Sequence, residues 1–252
     1  MRHIRAVARI SLILIFTVVL LSVWTIGRIV MFWSTRSVQI FRRWMVQSWS
    51  RSVCRIMGIA ISQEGRAPSI PFCLVSNHLS YVDVLILQAT SLCVLVSRAD
   101  VKGWPLIGLL ASQAGTLFID RKRARDVIRI GNLIESTIQA GNGVTFFPEG
   151  TSTSGRDVGR FNSSLLEYPA RDNFPVHYAA ISYTTNNEDP PASDAICWWC
   201  SMSFSPHAYD MLGLKGFDAR IVYGKHPVMA SDRKILAAGL HDHVKKIFHP
   251  TD

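Results

Sequence analysis

The hydrophobic pattern beyond about residue 58 alternates short apolar runs with longer amphipathic stretches. Runs at 72–76, 92–97, 116–120 and 143–147 predict strands, and the stretches at 82–90, 104–113 and 124–140 predict helices between them. The later half adds the strand candidates PVHYAAISYT, AICWWCSMSF and ARIVYG and a closing helix at 231–248. Strands that alternate with helices are typical of an α/β domain with a mixed, largely parallel sheet covered by helices.

An uncharged run of 18 residues, Ile10 to Gly27, dominates the N-terminal pattern. As a helix it is about 27 Å long, close to the roughly 30 Å hydrocarbon core of a bilayer. A signal peptide would share the basic start that Arg2, Arg5 and Arg9 provide, and a buried core helix would share the apolar composition. Because no small-x-small cleavage site follows the run, we expect a retained membrane-associated helical segment.

The segment from residue 35 to residue 57 predicts an amphipathic helix. Its apolar face carries Val38, Phe41, Met45, Trp49 and Ile56, while Arg36, Arg43 and Arg51 lie opposite and Arg42 intrudes on the apolar side. A helix lying along a membrane surface has this pattern, and so does an ordinary helix packed on a domain. We therefore divide the chain into residues 1–57, membrane-anchoring and interfacial helices, and residues 58–252, the α/β domain.

The net charge of +9 belongs to the N-terminal quarter. The first 63 residues hold nine arginines and no acidic residue, whereas the remaining 189 balance 18 basic against 18 acidic side chains. Because the arginines flank a membrane-length apolar run, the charge indicates a lipid bilayer as partner and not nucleic acid. The positive-inside rule indicates a domain on the cytoplasmic face, at the inner membrane if the protein is bacterial. Five cysteines, an odd number, fit a reducing compartment.

The sequence NHLSYVD, residues 77–83, directly follows the apolar run FCLVS. Ser80 and Asp83 fit the S-x-x-D capping pattern, which places His78 in the loop before a helix and Asp83 in the first turn of that helix. A bend at Ser80 can bring the two side chains together, so that the carboxylate orients the imidazole as a general base for a substrate hydroxyl. The structural alternative is that Asp83 only caps the helix.

Two further motifs lie at the carboxyl ends of predicted strands, where open α/β sheets collect ligand-binding groups. In GTLFIDR, residues 115–121, Arg121 offers an anion site, with a solvated charged turn as the alternative. In FPEGT, residues 147–151, Gly150 would let backbone N–H groups approach a ligand, and Glu149 is an unusual side chain at the end of an apolar strand. A simple turn is the alternative there.

In this order and after an apolar N-terminus, the three motifs resemble those of the glycerolipid acyltransferase family that includes 1-acylglycerol-3-phosphate acyltransferases. NHxSxxD, GxxFIDR and FPEGT all match, and the resemblance covers about residues 70 to 185. It implies a membrane-bound O-acyltransferase that moves a fatty acyl group from acyl-CoA or acyl-carrier protein to the free hydroxyl of a lysolipid, converting 1-acylglycerol-3-phosphate to phosphatidic acid. It implies no other cofactor and no metal. The implied site residues are His78 as general base, Asp83 as its orienting partner, and Arg121, Glu149, Gly150 and Thr151 at the acceptor's head group.

Two departures from the family pattern concern the acceptor. Ser152 stands where family members acting on lysophosphatidic acid often carry an arginine, and Asn162 follows Phe161 where a lysine is common. Two cations are thus missing from the region that would hold a phosphate. Lyso-ornithine lipid or another lysolipid is therefore an alternative acceptor.

Two other patterns indicate structure rather than metal or redox chemistry. Cys197 and Cys200 form a CxxC pair within a strand-like alternation, without a second CxxC, and His241 and His243 point apart on a predicted helix. A membrane-bound lipid hydrolase and a noncatalytic membrane-binding protein are the alternatives from other classes. The missing G-x-S-x-G motif counts against lipase chemistry, and the filled reactive positions count against a noncatalytic protein.

Overall fold

The computed structural model describes residues 1–120 and 122–251. Its helices are α1 (Arg2–Val30), α2 (Thr35–Met57), α3 (Val82–Thr90), α4 (Ile107–Gln113), α5 (Ala124–Gln139), α6 (Glu167–Arg171), α7 (Ala192–Ala195), α8 (Phe204–Gly213) and α9 (Arg233–Ile247). Its strands are β1 (Ile59–Glu64), β2 (Phe72–Ser76), β3 (Cys93–Arg98), β4 (Leu117–Ile119), β5 (Gly143–Phe146), β6 (Val176–Thr185) and β7 (Phe217–Tyr223).

The strands of the described residues form a seven-stranded sheet in the order β1-β7-β6-β2-β5-β3-β4. The strands from β6 to β4 in this order are parallel, whereas β7 is antiparallel to β6, and β1 runs parallel to β7. This mixed, largely parallel sheet with helices over it confirms the predicted fold class. Because β2 and β5 are parallel neighbours, the NHLSYVD and FPEGT loops leave the sheet side by side at one edge.

Both faces of the central strands are covered, which explains why β2 is apolar and buried throughout. Phe72 and Leu74 belong to a core shared with α2 and α3, whereas Cys73 and Val75 belong to a second core shared with α5 and α9. Successive side chains of a strand point to opposite faces of the sheet. A continuous apolar run such as FCLVS therefore serves two cores at once.

The predicted strand AICWWCSMSF is wrong: within residues 195–204, all of which the structure describes, the chain turns between α7 and α8 without pairing to the sheet. The rings of Trp198 and Phe204 instead pack edge-on against Tyr81, with centroids 5.9 and 4.9 Å from its ring. The Trp198 backbone N–H donates to the Leu79 carbonyl. Buried turns and buried strands both require apolar side chains, so apolar alternation alone does not separate them.

Helix α1 is long and apolar enough to cross a membrane. It also contacts the domain near both ends: Arg9 Nη1 donates to the carbonyls of Leu212 and Leu214 (3.0 and 2.7 Å), and Trp24 Nε1 donates to Gln113 Oε1 (2.8 Å). Its opposite face is exposed and apolar, and carries Leu12, Ile15, Val19, Val23 and Ile26. A contiguous exposed apolar face of this kind suggests membrane association.

Helix α2 has the bounds that its sequence pattern predicts. Two of its arginines face the domain, because Arg43 Nη2 donates to Gly141 O and Asn142 Oδ1 (both 2.9 Å) and Arg51 Nε donates to Ala89 O (2.9 Å). These contacts satisfy carbonyls at or just beyond the ends of α5 and α3, where helices leave acceptors free. Arg43 and Arg51 therefore contact the protein and do not face lipid head groups. The division of the chain at residue 57 stays a prediction.

Candidate active site

The loop between β2 and α3 brings His78 and Asp83 together. His78 Nδ1 lies 2.7 Å from Asp83 Oδ2, with the Asp83 side chain fully buried and the His78 side chain 21% exposed. In a continuous helix, a separation of five residues would turn the two side chains about 140° apart. Here the chain bends between Ser76 and Val82, before α3 begins. The bend therefore allows the contact that a regular helix would prevent.

The Asp83 carboxylate accepts four hydrogen bonds. Oδ2 accepts from His78 Nδ1 and from the backbone N–H groups of Leu79 (2.6 Å) and Ser80 (3.0 Å), and Oδ1 accepts from the Tyr183 hydroxyl (2.5 Å). A neutral imidazole that donates through Nδ1 carries its lone pair on Nε2. Asp83 therefore caps the loop and orients the imidazole at the same time. The Ser80 hydroxyl has no hydrogen-bond partner among the described residues.

The FPEGT motif packs against His78. The Phe147 ring stacks on the His78 ring, with centroids 4.0 Å apart and planes 12° apart. Glu149 Oε1 accepts the His78 backbone N–H (2.7 Å), and the Thr153 N–H donates to the His78 carbonyl (3.0 Å). The motif thus holds both the ring and the backbone of His78.

Glu149 joins two loops through its carboxylate. Its Oε2 atom accepts the Gly159 N–H (2.9 Å), so each carboxylate oxygen is engaged by one backbone donor. Burial raises the pKa of Glu149 to about 7, against the two backbone hydrogen bonds, which lower it. The family resemblance places Glu149 at the acceptor's head group. In the structure its oxygens contact the protein backbone, a geometry that positions the His78 loop.

A cavity of about 470 Å³ opens beside His78 and extends toward the N-terminal helices. Its walls are mostly apolar and come from α1, α2, α3, β3 and α4, with Leu20, Leu21, Met45, Val46, Leu85 and Leu110 among them. Arg42, which intrudes on the apolar face of α2, also lines it. The volume lies within the range of small-molecule sites in proteins. Sequence reasoning missed the cavity because its walls come from segments far apart in the chain.

Gly150, Thr151 and Arg121 are the other residues predicted to bind the acceptor's head group. Gly150, with φ of +83°, and Thr151 both line the cavity. Arg121 lies outside the described residues, so its anion site stays a prediction. Its exposed neighbour Arg123 pairs with Asp120, with 3.2 Å between Nε and Oδ2.

The two departures from the family pattern are both hydrogen-bonded within the protein. The Ser152 hydroxyl donates to the Trp198 carbonyl. Asn162 Nδ2 donates to the carbonyls of Pro148 (3.1 Å) and Glu149 (3.3 Å). Where the family pattern has cations, this chain has neutral side chains that bind backbone.

Cys200 of the CxxC pair is among the residues that line the cavity, whereas Cys197, His241 and His243 are not. Cys197 is buried and Cys200 is exposed. His241 Nε2 lies 3.4 Å from the Val158 carbonyl and His243 Nδ1 lies 2.7 Å from the Gly239 carbonyl. In the described part of the chain, no group of three potential metal ligands comes together.

Residues 58–181, which contain all three motifs, match the family model Acyltransferase. A lyso-ornithine lipid O-acyltransferase of Rhodobacter capsulatus is 32% identical over 197 residues, which cover 74% of this chain and 70% of that relative. The chain therefore belongs to the acyltransferase family, as the resemblance of its motifs predicts.

Other relatives carry two kinds of name. A lyso-ornithine lipid O-acyltransferase of Pseudomonas aeruginosa is 33% identical over 142 residues, which are 56% of this chain and 55% of that relative. A 1-acyl-sn-glycerol-3-phosphate acyltransferase of Neisseria meningitidis serogroup B is 30% identical over 135 residues, 53% of each protein. The crystal structure of the 1-acyl-sn-glycerophosphate (LPA) acyltransferase PlsC from Thermotoga maritima matches 98% of both chains with a TM-score of 0.70 and 14% identity, so the two share a fold.

Proposed function

We propose that this protein is a membrane-bound O-acyltransferase that moves a fatty acyl group from acyl-CoA or acyl-carrier protein to the free hydroxyl of a lysolipid. Family membership supports acyl transfer, and the names of the relatives support a lysolipid acceptor. The observation that carries the proposal is the 2.7 Å contact between His78 and Asp83 beside a largely apolar cavity. Such a cavity suits an acyl chain, and an oriented imidazole suits a hydroxyl nucleophile.

In the proposed reaction, His78 Nε2 removes the proton of the acceptor hydroxyl as the hydroxyl oxygen attacks the thioester carbonyl carbon. The tetrahedral intermediate then collapses: the carbon–sulfur bond breaks, the new ester remains, and the thiol leaves with the proton from the imidazolium. Asp83 keeps the proton of the neutral ring on Nδ1 and stabilises the imidazolium that forms. The protein needs no nucleophile of its own, because the substrate supplies the hydroxyl.

For the acceptor we favour lyso-ornithine lipid, or another lysolipid with a zwitterionic head, over lysophosphatidic acid. Ser152 and Asn162 bring no positive charge to a phosphate, and both side chains already donate to backbone carbonyls. Relatives named lyso-ornithine lipid O-acyltransferase support this choice. 1-Acylglycerol-3-phosphate remains the competing acceptor, since a relative with that specificity in its name matches as well.

We expect that the enzyme does not prefer lysophosphatidic acid over the other lysolipids by a wide margin. The enzyme in washed membranes is given a labelled acyl donor, acyl-CoA or acyl-carrier protein in separate reactions, and a panel of lysolipids. The double variant Ser152→Arg with Asn162→Lys restores both cations and should move the preference toward lysophosphatidic acid. A wild-type preference for lysophosphatidic acid of about a hundredfold in kcat/KM, about 2.7 kcal/mol, would contradict the assignment.

Charge on the exposed face of α1 is expected to release the protein from membranes. Ile15→Glu with Val19→Glu alters two exposed side chains on this face, and a charged residue costs about 2.5 to 3.5 kcal/mol at a bilayer centre. Ile235→Glu on α9 is the matched control, because Ile235 is also exposed. The measurement is the fraction of each variant in salt-washed membranes. Equal recovery of both variants would argue against α1 as the anchor.

The distribution of arginines on both sides of the apolar run leads us to propose that the domain lies on the cytoplasmic face.

Glu149→Gln is expected to lower kcat/KM by about tenfold, because the amide leaves one of the two backbone donors without an acceptor. It should also flatten the pH dependence of stability. Since burial raises the pKa of Glu149 to about 7, its contribution to stability is present below the unfolded pKa and is lost as the pH rises through 7. Between about pH 5 and 8 the wild type should lose up to about 3 kcal/mol of unfolding free energy that the variant keeps. Unfolding curves at both pH values test this, and parallel losses would contradict it.

A further inference from the structure

Tyr183 belongs to none of the sequence motifs, yet it contacts the candidate catalytic pair. It is buried on β6, the strand beside β2, and its hydroxyl donates to Asp83 Oδ1. Its ring packs edge-on against Phe217, with centroids 5.9 Å apart. Burial, followed by the Asp83 carboxylate, raises the pKa of Tyr183 well above its ordinary value. The phenol therefore stays protonated and available as a donor.

The two oxygens of Asp83 are held from different elements. Oδ2 accepts from the His78 ring and from backbone N–H groups of the same loop, whereas Oδ1 accepts from Tyr183 on the neighbouring strand. Among the described residues, the Tyr183 hydroxyl is the hydrogen-bond donor that reaches Oδ1. Without that hydroxyl, a buried carboxylate oxygen would lose its partner, and more of the negative charge would act on the imidazole.

We propose that Tyr183 is a positioning residue for the His78–Asp83 pair: its hydroxyl holds the carboxylate in the orientation that meets Nδ1 and disperses part of the negative charge. This inference rests on the proposed function. A carboxylate fixed in this orientation holds the proton of the neutral ring on Nδ1 and leaves Nε2 free to accept a proton. The neutral ring is the form that removes a proton from the acceptor hydroxyl.

The titratable groups that face this pair are Glu149, through the His78 backbone, and the thiols of Cys54 and Cys197, near Tyr183. Burial raises the pKa of Cys54 to about 12, so that thiol stays neutral in the range where the activity is measured. Glu149, with a pKa of about 7, titrates inside that range. The test therefore compares variants that all retain Glu149.

Tyr183→Phe removes one hydroxyl and keeps the ring. Its matched control is Tyr223→Phe on β7, because Tyr223 is also buried and its hydroxyl hydrogen-bonds Thr90 Oγ1 at 2.8 Å. Both variants lose one buried hydrogen bond, so both should lower Tm by similar amounts. Tyr183→Phe alone should lower kcat by about tenfold and leave the KM values for donor and acceptor nearly unchanged.

A double-mutant cycle shows whether Tyr183 acts through Asp83. In an Asp83→Asn background, Tyr183→Phe should change the residual kcat much less than it does in the wild type. An unchanged kcat in Tyr183→Phe, an equal loss of kcat in Tyr223→Phe, or an equal effect of Tyr183→Phe in the Asp83→Asn background would overturn the inference. A wild type that transfers no acyl group to any lysolipid would instead overturn the proposed function.

Discussion

Replacing His78 by alanine is expected to lower kcat by about 10² to 10⁴, the contribution of a well-placed general base. The substitution removes the imidazole that lies 2.7 Å from Asp83 and leaves the acceptor hydroxyl without a proton acceptor. It keeps the His78 backbone N–H, so the hydrogen bond to Glu149 Oε1 remains and the loop stays attached. Rates are measured at saturating donor and acceptor, so that changes in binding do not enter kcat.

The His78→Ala result requires two controls. The variant also loses the stacking of His78 on Phe147, so its melting temperature and its membrane recovery are compared with those of the wild type. His241→Ala removes a histidine of α9 that is not among the residues lining the cavity, and it should leave kcat unchanged. A folded His78→Ala variant with kcat within about tenfold of the wild type would show that another group acts as the base.

Asp83→Asn is expected to be nearly as severe, with a loss of about 10² to 10⁴ in kcat, for a different reason. The imidazole stays, but the amide cannot accept from all four donors that the carboxylate satisfies. Whichever way the amide turns, its NH₂ group faces one set of donors. The ring then loses either its tautomer or its partner for the developing positive charge, and the rate falls although His78 is intact.

Asp83 also caps the loop, and a matched pair of variants separates that structural contribution from catalysis. Asp232 caps α9, where its Oδ1 atom accepts the backbone N–H groups of Lys234 and Ile235. Asp232→Ser should cost at most about 1 kcal/mol of stability and leave turnover unchanged. Asp83→Ser should lower the melting temperature and also reduce kcat as strongly as Asp83→Asn. Near-normal turnover in both Asp83 variants would mean that Asp83 is a cap and nothing more.

The sequence by itself determined the features that depend on local pattern. The predicted strand at 72–76 agrees with β2 and the predicted helix at 82–90 agrees with α3, because burial on two faces demands a continuous apolar run and helical packing demands a 3.6-residue period. The contact between His78 and Asp83 could also be predicted, since the two residues are only five positions apart where a loop leads into a helix. The family followed from three motifs in a fixed order, and the apolar run of α1 suggested the membrane.

Only the tertiary structure decided which distant residues complete the site. Tyr183 lies 100 residues from Asp83, and Glu149 lies 71 residues from the backbone N–H that it accepts. Both contacts depend on the order and register of strands, which the pattern of one segment does not encode. Likewise, the apolar alternation of residues 195–204 did not distinguish a strand from turns, and the structure buries Ile196 and Cys197 of this segment but leaves Cys200 exposed. Arg43 and Arg51 of α2 donate to carbonyls at the ends of other helices, because those acceptors lie close to α2 only after the chain has folded.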